Sequence, residues 1–176
     1  ETLNVRFSSP SGHATVGATA TAIGTILDDD IAVLSIVDAS IAEDSTSIIF
    51  TVTSDKIVEG TSVRVKLSPT ATLIPAVAGI DYTAVAQTVT IDSGTNVTIS
   101  VPLTADVIVE PDETFNVILS SPSGNATLGA TATAIGTILD DDSAVLSIVD
   151  ASIAEDSTSI IFTVTSDKIV EGTSVT

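Results

Sequence analysis

The chain has no cysteine, methionine or tryptophan, and only one histidine, one tyrosine and four phenylalanines. Without cysteine there are no disulfide staples, no thiolate nucleophiles and no Cys-ligated zinc. Cations are almost as scarce. Five Lys and Arg stand against 23 Asp and Glu, for a formal net charge of -18. Nucleic-acid binding needs a basic footprint and is therefore disfavoured. Aromatic residues make up 3% of the chain, too few for a stacking platform for bases or sugars. No run of about 18 apolar residues occurs, so the sequence offers no candidate membrane-spanning helix.

What is present argues for a folded body. Hydrophobic residues are 44% of the chain and charged ones 16%, unlike an acidic disordered tail. An excess of carboxylates on such a body, with few cations to balance it, invites a metal ion. The chain opens on Glu1-Thr2-Leu3-Asn4-Val5, which reads as the inside of an element; an export signal is expected outside this piece.

The sequence repeats. Residues 1–64 recur as 113–176 with seven differences: Leu3/Phe115, Arg6/Ile118, Phe7/Leu119, His13/Asn125, Val16/Leu128, Ile31/Ser143 and Arg64/Thr176. A spacing of 112 residues is the size of a domain, not of a solenoid turn. The triplets Asp28-Asp29-Asp30 and Asp140-Asp141-Asp142 each close an apolar stretch, and a new alternating stretch follows at once. This predicts one complete domain at 31–142, the C-terminal part of a preceding repeat at 1–30 and the N-terminal part of a following one at 143–176. No Gly/Ser- or Pro-rich linker separates them, which favours a stiff rod.

Apolar residues alternate with polar ones in Val63-Arg64-Val65-Lys66-Leu67, along 97–104 and in Phe115, Val117 and Leu119. Val, Ile and Thr dominate, as suits a half-buried pleated surface. The pattern predicts strands near 33–38, 47–54, 61–67, 84–91, 96–104, 113–119 and 132–139, with turns at Asp92-Ser93-Gly94 and Pro122-Ser123-Gly124. About seven strands in 112 residues describe an all-β, immunoglobulin-like antiparallel β-sandwich. The partial repeats lack central strands, so their edges are expected to fray or to pair with neighbours.

In that order of strands, four acidic segments return to one end of the sandwich. They are Ile41-Ala42-Glu43-Asp44, Gly79-Ile80-Asp81-Tyr82, the stretch from Asp106 to Glu113, and Asp140-Asp141-Asp142. Many hard oxygen ligands without His or Cys suit calcium, which accepts six to eight oxygens in flexible geometry. A dication also relieves the repulsion among crowded carboxylates. Asp38, Asp44, Asp92 and Asp112 read as surface residues, Tyr82 as a core or corner tyrosine, and Lys56 and Lys66 as outward-facing cations.

Several stretches closely resemble the Calx-beta domain. They are Glu113-Thr114-Phe115-Asn116-Val117-Ile118-Leu119-Ser120-Ser121-Pro122, Asn125-Ala126-Thr127-Leu128-Gly129, Gly136-Thr137-Ile138-Leu139-Asp140-Asp141-Asp142, Ala78-Gly79-Ile80-Asp81-Tyr82 and Glu110-Pro111-Asp112. The resemblance covers 31–142 and both partial repeats. It implies calcium ligands at Glu43, Asp81, Asp106, Glu110, Glu113, Asp140, Asp141 and Asp142, with the Ile108 carbonyl added. In the partial copies it implies Glu1, Asp28, Asp29, Asp30 and Glu155. The sequence departs from the family around Leu73-Ile74-Pro75-Ala76, where one family acid is lost, at Ser93-Gly94-Thr95, and in having Asp106 alone before Glu110. One to three ions per junction are expected.

Together these readings describe a structural repeat of a long secreted surface or adhesin-type protein. Its partners would be calcium ions and neighbouring repeats, with calcium stiffening the junctions and self-association possible through the incomplete flanks. An end-to-end filament subunit and a regulatory calcium sensor of a membrane protein are the alternatives. A glycosidase pair at Glu110 and Glu113 is a weak reading, because the site would be convex and without aromatic subsites.

Overall fold

The computed structural model describes residues 1–69 and 74–171. Leu73 and the 172–176 end of the C-terminal flank, including Thr176, lie outside the described residues. The chain divides into two compact units, Glu1–Ile31 and Ala32–Thr176.

The first unit is an antiparallel hairpin of β1 (Thr2–Arg6) and β2 (Thr21–Thr25), in which Leu3 pairs with Gly24 and Val5 with Ala22. Its apolar side chains find little cover: Leu3 is 48% exposed and Ile23 70%.

The second unit holds β3 (Ala32–Ile36), β4 (Ala39–Ala42), β5 (Ser47–Pro69), β6 (Ala86–Pro102), β7 (Glu113–Ser120), β8 (Ala126–Leu128) and β9 (Thr133–Leu139). These seven strands form one curled, sandwich-like sheet in the order β4-β9-β7-β5-β3-β8, with β6 also paired to β5. The length of β5 makes the curl possible. Its first half pairs with β3, its second half with β7, and β6 follows both halves. One strand thus belongs to both layers of the sandwich.

Two expectations are corrected here. The stretches 47–54 and 61–67 are one strand, and so are 84–91 and 96–104. The Asp92-Ser93-Gly94 turn signal is not a turn. The register of β5 against β6 shifts between Thr53 and Val58, and Gly94, opposite Val58, takes the φ of +116° that glycine tolerates. The signal marks a bulge at which one long ladder shifts register. Two short strands, β4 and β8, had no expected counterpart. Each pairs parallel, with β9 and β3 respectively, and is too brief to show a period.

The core follows the alternation. Leu34, Ile36, Ile48, Phe50, Val52, Val63, Val65, Ile99, Val101, Phe115 and Val117 are buried in one cluster. Phe115 sits at its centre. Its ring stacks on Tyr82 at 4.5 Å and meets Phe50 edge-on at 5.9 Å. Gly136 makes room for both phenylalanines, since a Cβ there would fall 2.6 Å from Phe115 and 2.8 Å from Phe50.

The C-terminal flank supplies β10 (Leu146–Ile148) and β11 (Val164–Ser166), an antiparallel pair. Leu146 faces Ser166 as Leu34 faces Ser54, 112 positions earlier. Likewise, the β1–β2 register reproduces that of β7–β9 pair for pair. Each flank therefore reproduces a strand pairing found 112 positions away.

Candidate metal centre

Backbone pairing brings the acidic segments together. Glu113 opens β7 opposite Ile138, near the end of β9, and the triplet Asp140–Asp142 follows directly. The parallel β4 ends beside the same point, where the Glu43 amide donates to the Leu139 carbonyl at 3.0 Å. Thr114 ties down the third segment. Its amide and hydroxyl both donate to the Ile74 carbonyl, at 2.8 and 3.0 Å, and its carbonyl accepts from the Ala76 amide. A tight turn follows, with Gly79 at φ +89°, and Asp81 accepts from the Val77 amide at 2.5 Å. The fourth segment is shaped by Asp106, whose Oδ1 accepts from the Ile108 amide at 2.7 Å.

The carboxylates gather in two groups. Glu43, Asp106 and Asp142 can place one oxygen each within 4.8 Å of the others, and so can Asp81, Glu110 and Glu113. Six of the eight expected ligands in the complete domain are thus drawn together. Asp140 and Asp141 fall outside both sets, although their charges act on Glu43. In the partial copies, Glu1, Asp28, Asp29, Asp30 and Glu155 join no such group among the described residues.

The two groups form one electrostatic basin, because Asp106 and Asp140 act on both Glu43 and Glu110. Glu43 is 8% exposed, and its Oε1 has no hydrogen-bond partner. Burial, and then the charges of Asp106, Asp140, Asp142 and Asp141, push its carboxyl up to about 7. Burial pushes Glu113 up to about 8, with a hydrogen bond to Asp81 and the charges of Asp81, Glu110 and Glu171 adding to it. Glu110 is raised by burial and by Asp106, Asp81, Glu171 and Asp140. Carboxylates that hold their protons this high lack a counter-charge. An orphaned buried oxygen within an all-oxygen donor set fits a hard dication.

Sequence reasoning passed over several residues that shape this basin. Asp112, read as a surface residue, accepts from the Asp140 amide at 3.2 Å and so orients the triplet. Asp44 adds its charge to Asp141. Asp38 binds the Ile135 amide on β9 at 2.7 Å. Two further residues come from the C-terminal flank. The ammonium of Lys168 donates to Asp142 Oδ1 at 2.5 Å, which raises its own pKa, and Glu171 acts on Glu110 and Glu113. Only the triplet's position directly before the C-terminal flank hinted at these.

An acidic, loop-borne cluster at one end of a curled β-sandwich defines a class of cation-binding module. The Calx-beta domain family matches residues 27–142, and the chain belongs to that family. Among solved structures, the fold is similar to the apo form of the Calx CBD1 domain, at 20% identity and a TM-score of 0.57, over 64% of this chain and 100% of that one. It is similar to CBD12 from CALX1.2 at 20% identity and a TM-score of 0.54, covering 62% of this chain and 46% of that one. The Calx CBD2 domain aligns at 14% identity and a TM-score of 0.54, over 62% of this chain and 86% of that one. No curated protein sequence matches the chain.

Proposed function

We propose that the chain is a calcium-binding structural repeat from a long secreted surface or adhesin-type protein, with calcium rigidifying the junctions between repeats. In this reading residues 1–30, 31–142 and 143–176 are the end of one repeat, a complete repeat and the start of the next, and the protein is not an enzyme. The observation that carries it is Glu43. A buried carboxylate with an unpartnered oxygen faces Asp106 and the Asp140–Asp142 triplet, and the triplet leads straight into the following repeat. Glu43, Asp106 and Asp142 would hold one ion, and Asp81, Glu110 and Glu113 another. A similar structure, CBD12 of CALX1.1, is described as a calcium-binding domain. Near-identity of the two copies supports an array, since a lone sensor has no need of copies.

Binding to the folded state alone stabilises it by about 2.7 kcal/mol at a hundredfold excess of ion over Kd. Extracellular modules work with Kd values on the order of 10⁻⁴–10⁻³ M. Chelation should therefore lower the melting temperature and broaden the small-angle scattering profile. An unchanged melt and profile in excess chelator would sink the reading.

The flanks favour a second role, end-to-end assembly. Leu3, Val5 and Ile23 in the N-terminal hairpin, and Leu146, Ile148, Phe162 and Val164 in the C-terminal flank, are all more than 40% exposed. Six of the seven have core residues as equivalents, Phe115, Val117, Leu34, Ile36, Phe50 and Val52, while Ile135, the equivalent of Ile23, is half-buried.

A further inference from the structure

The following repeat touches the acidic basin through one short segment, Lys168-Ile169-Val170-Glu171. Lys168 reaches Asp142. Val170 then forms a parallel bridge with Val109 in the loop before β7, built from Val109 N–H to the Ile169 carbonyl at 3.0 Å and Glu171 N–H to the Val109 carbonyl at 2.8 Å. A parallel bridge sets register: with 109 opposite 170, residue 110 lies beside 171 and shares its face of the ladder. Glu171 is therefore the register neighbour of Glu110.

We infer that Glu171, a residue of the following repeat, completes the Asp81/Glu110/Glu113 group, so that the ion at this junction is held by both repeats at once. The inference rests on the reading above that the basin takes calcium, for which the buried, unpartnered oxygen of Glu43 in the adjoining group is the independent support. One converging oxygen from each of three carboxylates falls short of the six to eight that calcium takes, and a fourth carboxylate adds both charge and donors. Without an ion, Glu171 sits against like charge, which raises Glu110 and Glu113 further. The two backbone bonds made by Ile169 and Glu171, with the Lys168 ion pair, hold the segment there nonetheless.

The segment is part of the repeat. Lys168-Ile169-Val170-Glu171 recurs as Lys56-Ile57-Val58-Glu59, at the bulge of β5. There the ladder is interrupted between Thr53 and Val58, and Ile57 is 80% exposed. The register shift falls on this segment, and the ladder resumes at Val58 opposite Gly94.

The test is calorimetric titration of the full 176-residue chain with calcium chloride, wild type against Glu171→Gln. Residue 171 is exposed, so the substitution leaves folding intact. Loss of a ligand should weaken one class of sites on the order of tenfold. The loss should persist in 1 M NaCl, where screening over about 3 Å removes through-space effects. Hydrogen exchange gives a second readout: calcium should protect the Glu171 amide in the wild type, and residue 171 much less in the variant. Wild-type affinity in the variant, or a loss that vanishes in high salt, overturns the inference alone. A wild-type chain that takes up no calcium at millimolar concentration overturns the functional reading with it.

Discussion

Replacing Glu43 by glutamine should raise the stability of the calcium-free protein and abolish much of its response to calcium. The two effects have opposite signs and a common cause. Moving a carboxyl from 4.5 to about 7, at about 1.4 kcal/mol per decade, means that ionised Glu43 opposes folding by about 3 kcal/mol at pH 8. Glutamine has nearly the same shape and no charge, but it keeps a buried polar oxygen, so we expect about 2 kcal/mol of the penalty to disappear. For a chain of this size that is a rise in melting temperature of about 4–8 °C in chelator at pH 8. At pH 5 the folded wild type holds its proton, and the two proteins should melt within about 2 °C of each other. With calcium at a hundredfold excess over Kd the order should invert, because the wild type gains about 2.7 kcal/mol and the variant far less. Differential scanning fluorimetry across pH, with and without calcium, reads all three conditions. A variant less stable than wild type in chelator at pH 8, or one with an undiminished calcium shift, would refute the argument that this carboxylate is an uncompensated charge awaiting an ion.

Other outcomes follow from the same structure. Folded-state values of about 7 for Glu43 and about 8 for Glu113 lie above the unfolded 4.5. The folded chain thus binds more protons, and the stability these two groups give falls as pH rises from about 4.5 to 8. Chelated protein should melt higher at pH 5 than at pH 8, with saturating calcium reducing or reversing the trend. Gly136→Ala forces a methyl between Phe115 and Phe50 and should destabilise the fold by about 1–3 kcal/mol in denaturant titration, with or without calcium. The apolar flanks should give concentration-dependent association in sedimentation velocity, and Ile23→Lys should weaken it; a strictly monomeric wild type at all concentrations would contradict assembly through the flanks.

Much of the architecture was legible because the alternation is clean. Phe115, Val117 and Leu119 were read as one face of a strand, and all three are buried. The fusion of four expected strands into β5 and β6 was not legible. Residues 55–60 carry charge and glycine, as a loop would, and the ladder passes them by a bulge that tertiary pairing sustains. Around the metal centre, sequence showed that Glu43, Asp81, Asp106, Glu110 and the triplet return to one end. It could not show that they form two groups. That division depends on which oxygen each loop amide meets: the Leu139 carbonyl for Glu43, the Ile74 carbonyl for Thr114 and the Asp112 carboxylate for Asp140. Glu171 was out of reach for the same reason, since nothing in its own neighbourhood announces Val109.

The parallel pairing of β4 with β9 has a mechanical consequence. Chain tension applied beyond Asp142 pulls β9 along its own axis, while β4 on one side and β7 on the other grip it through bonds that run across that axis. The bonds must then yield together in shear, not one after another as in a zipper. The carboxylate basin stands where that load enters the domain, so an ion seated there would act as a clamp on β9.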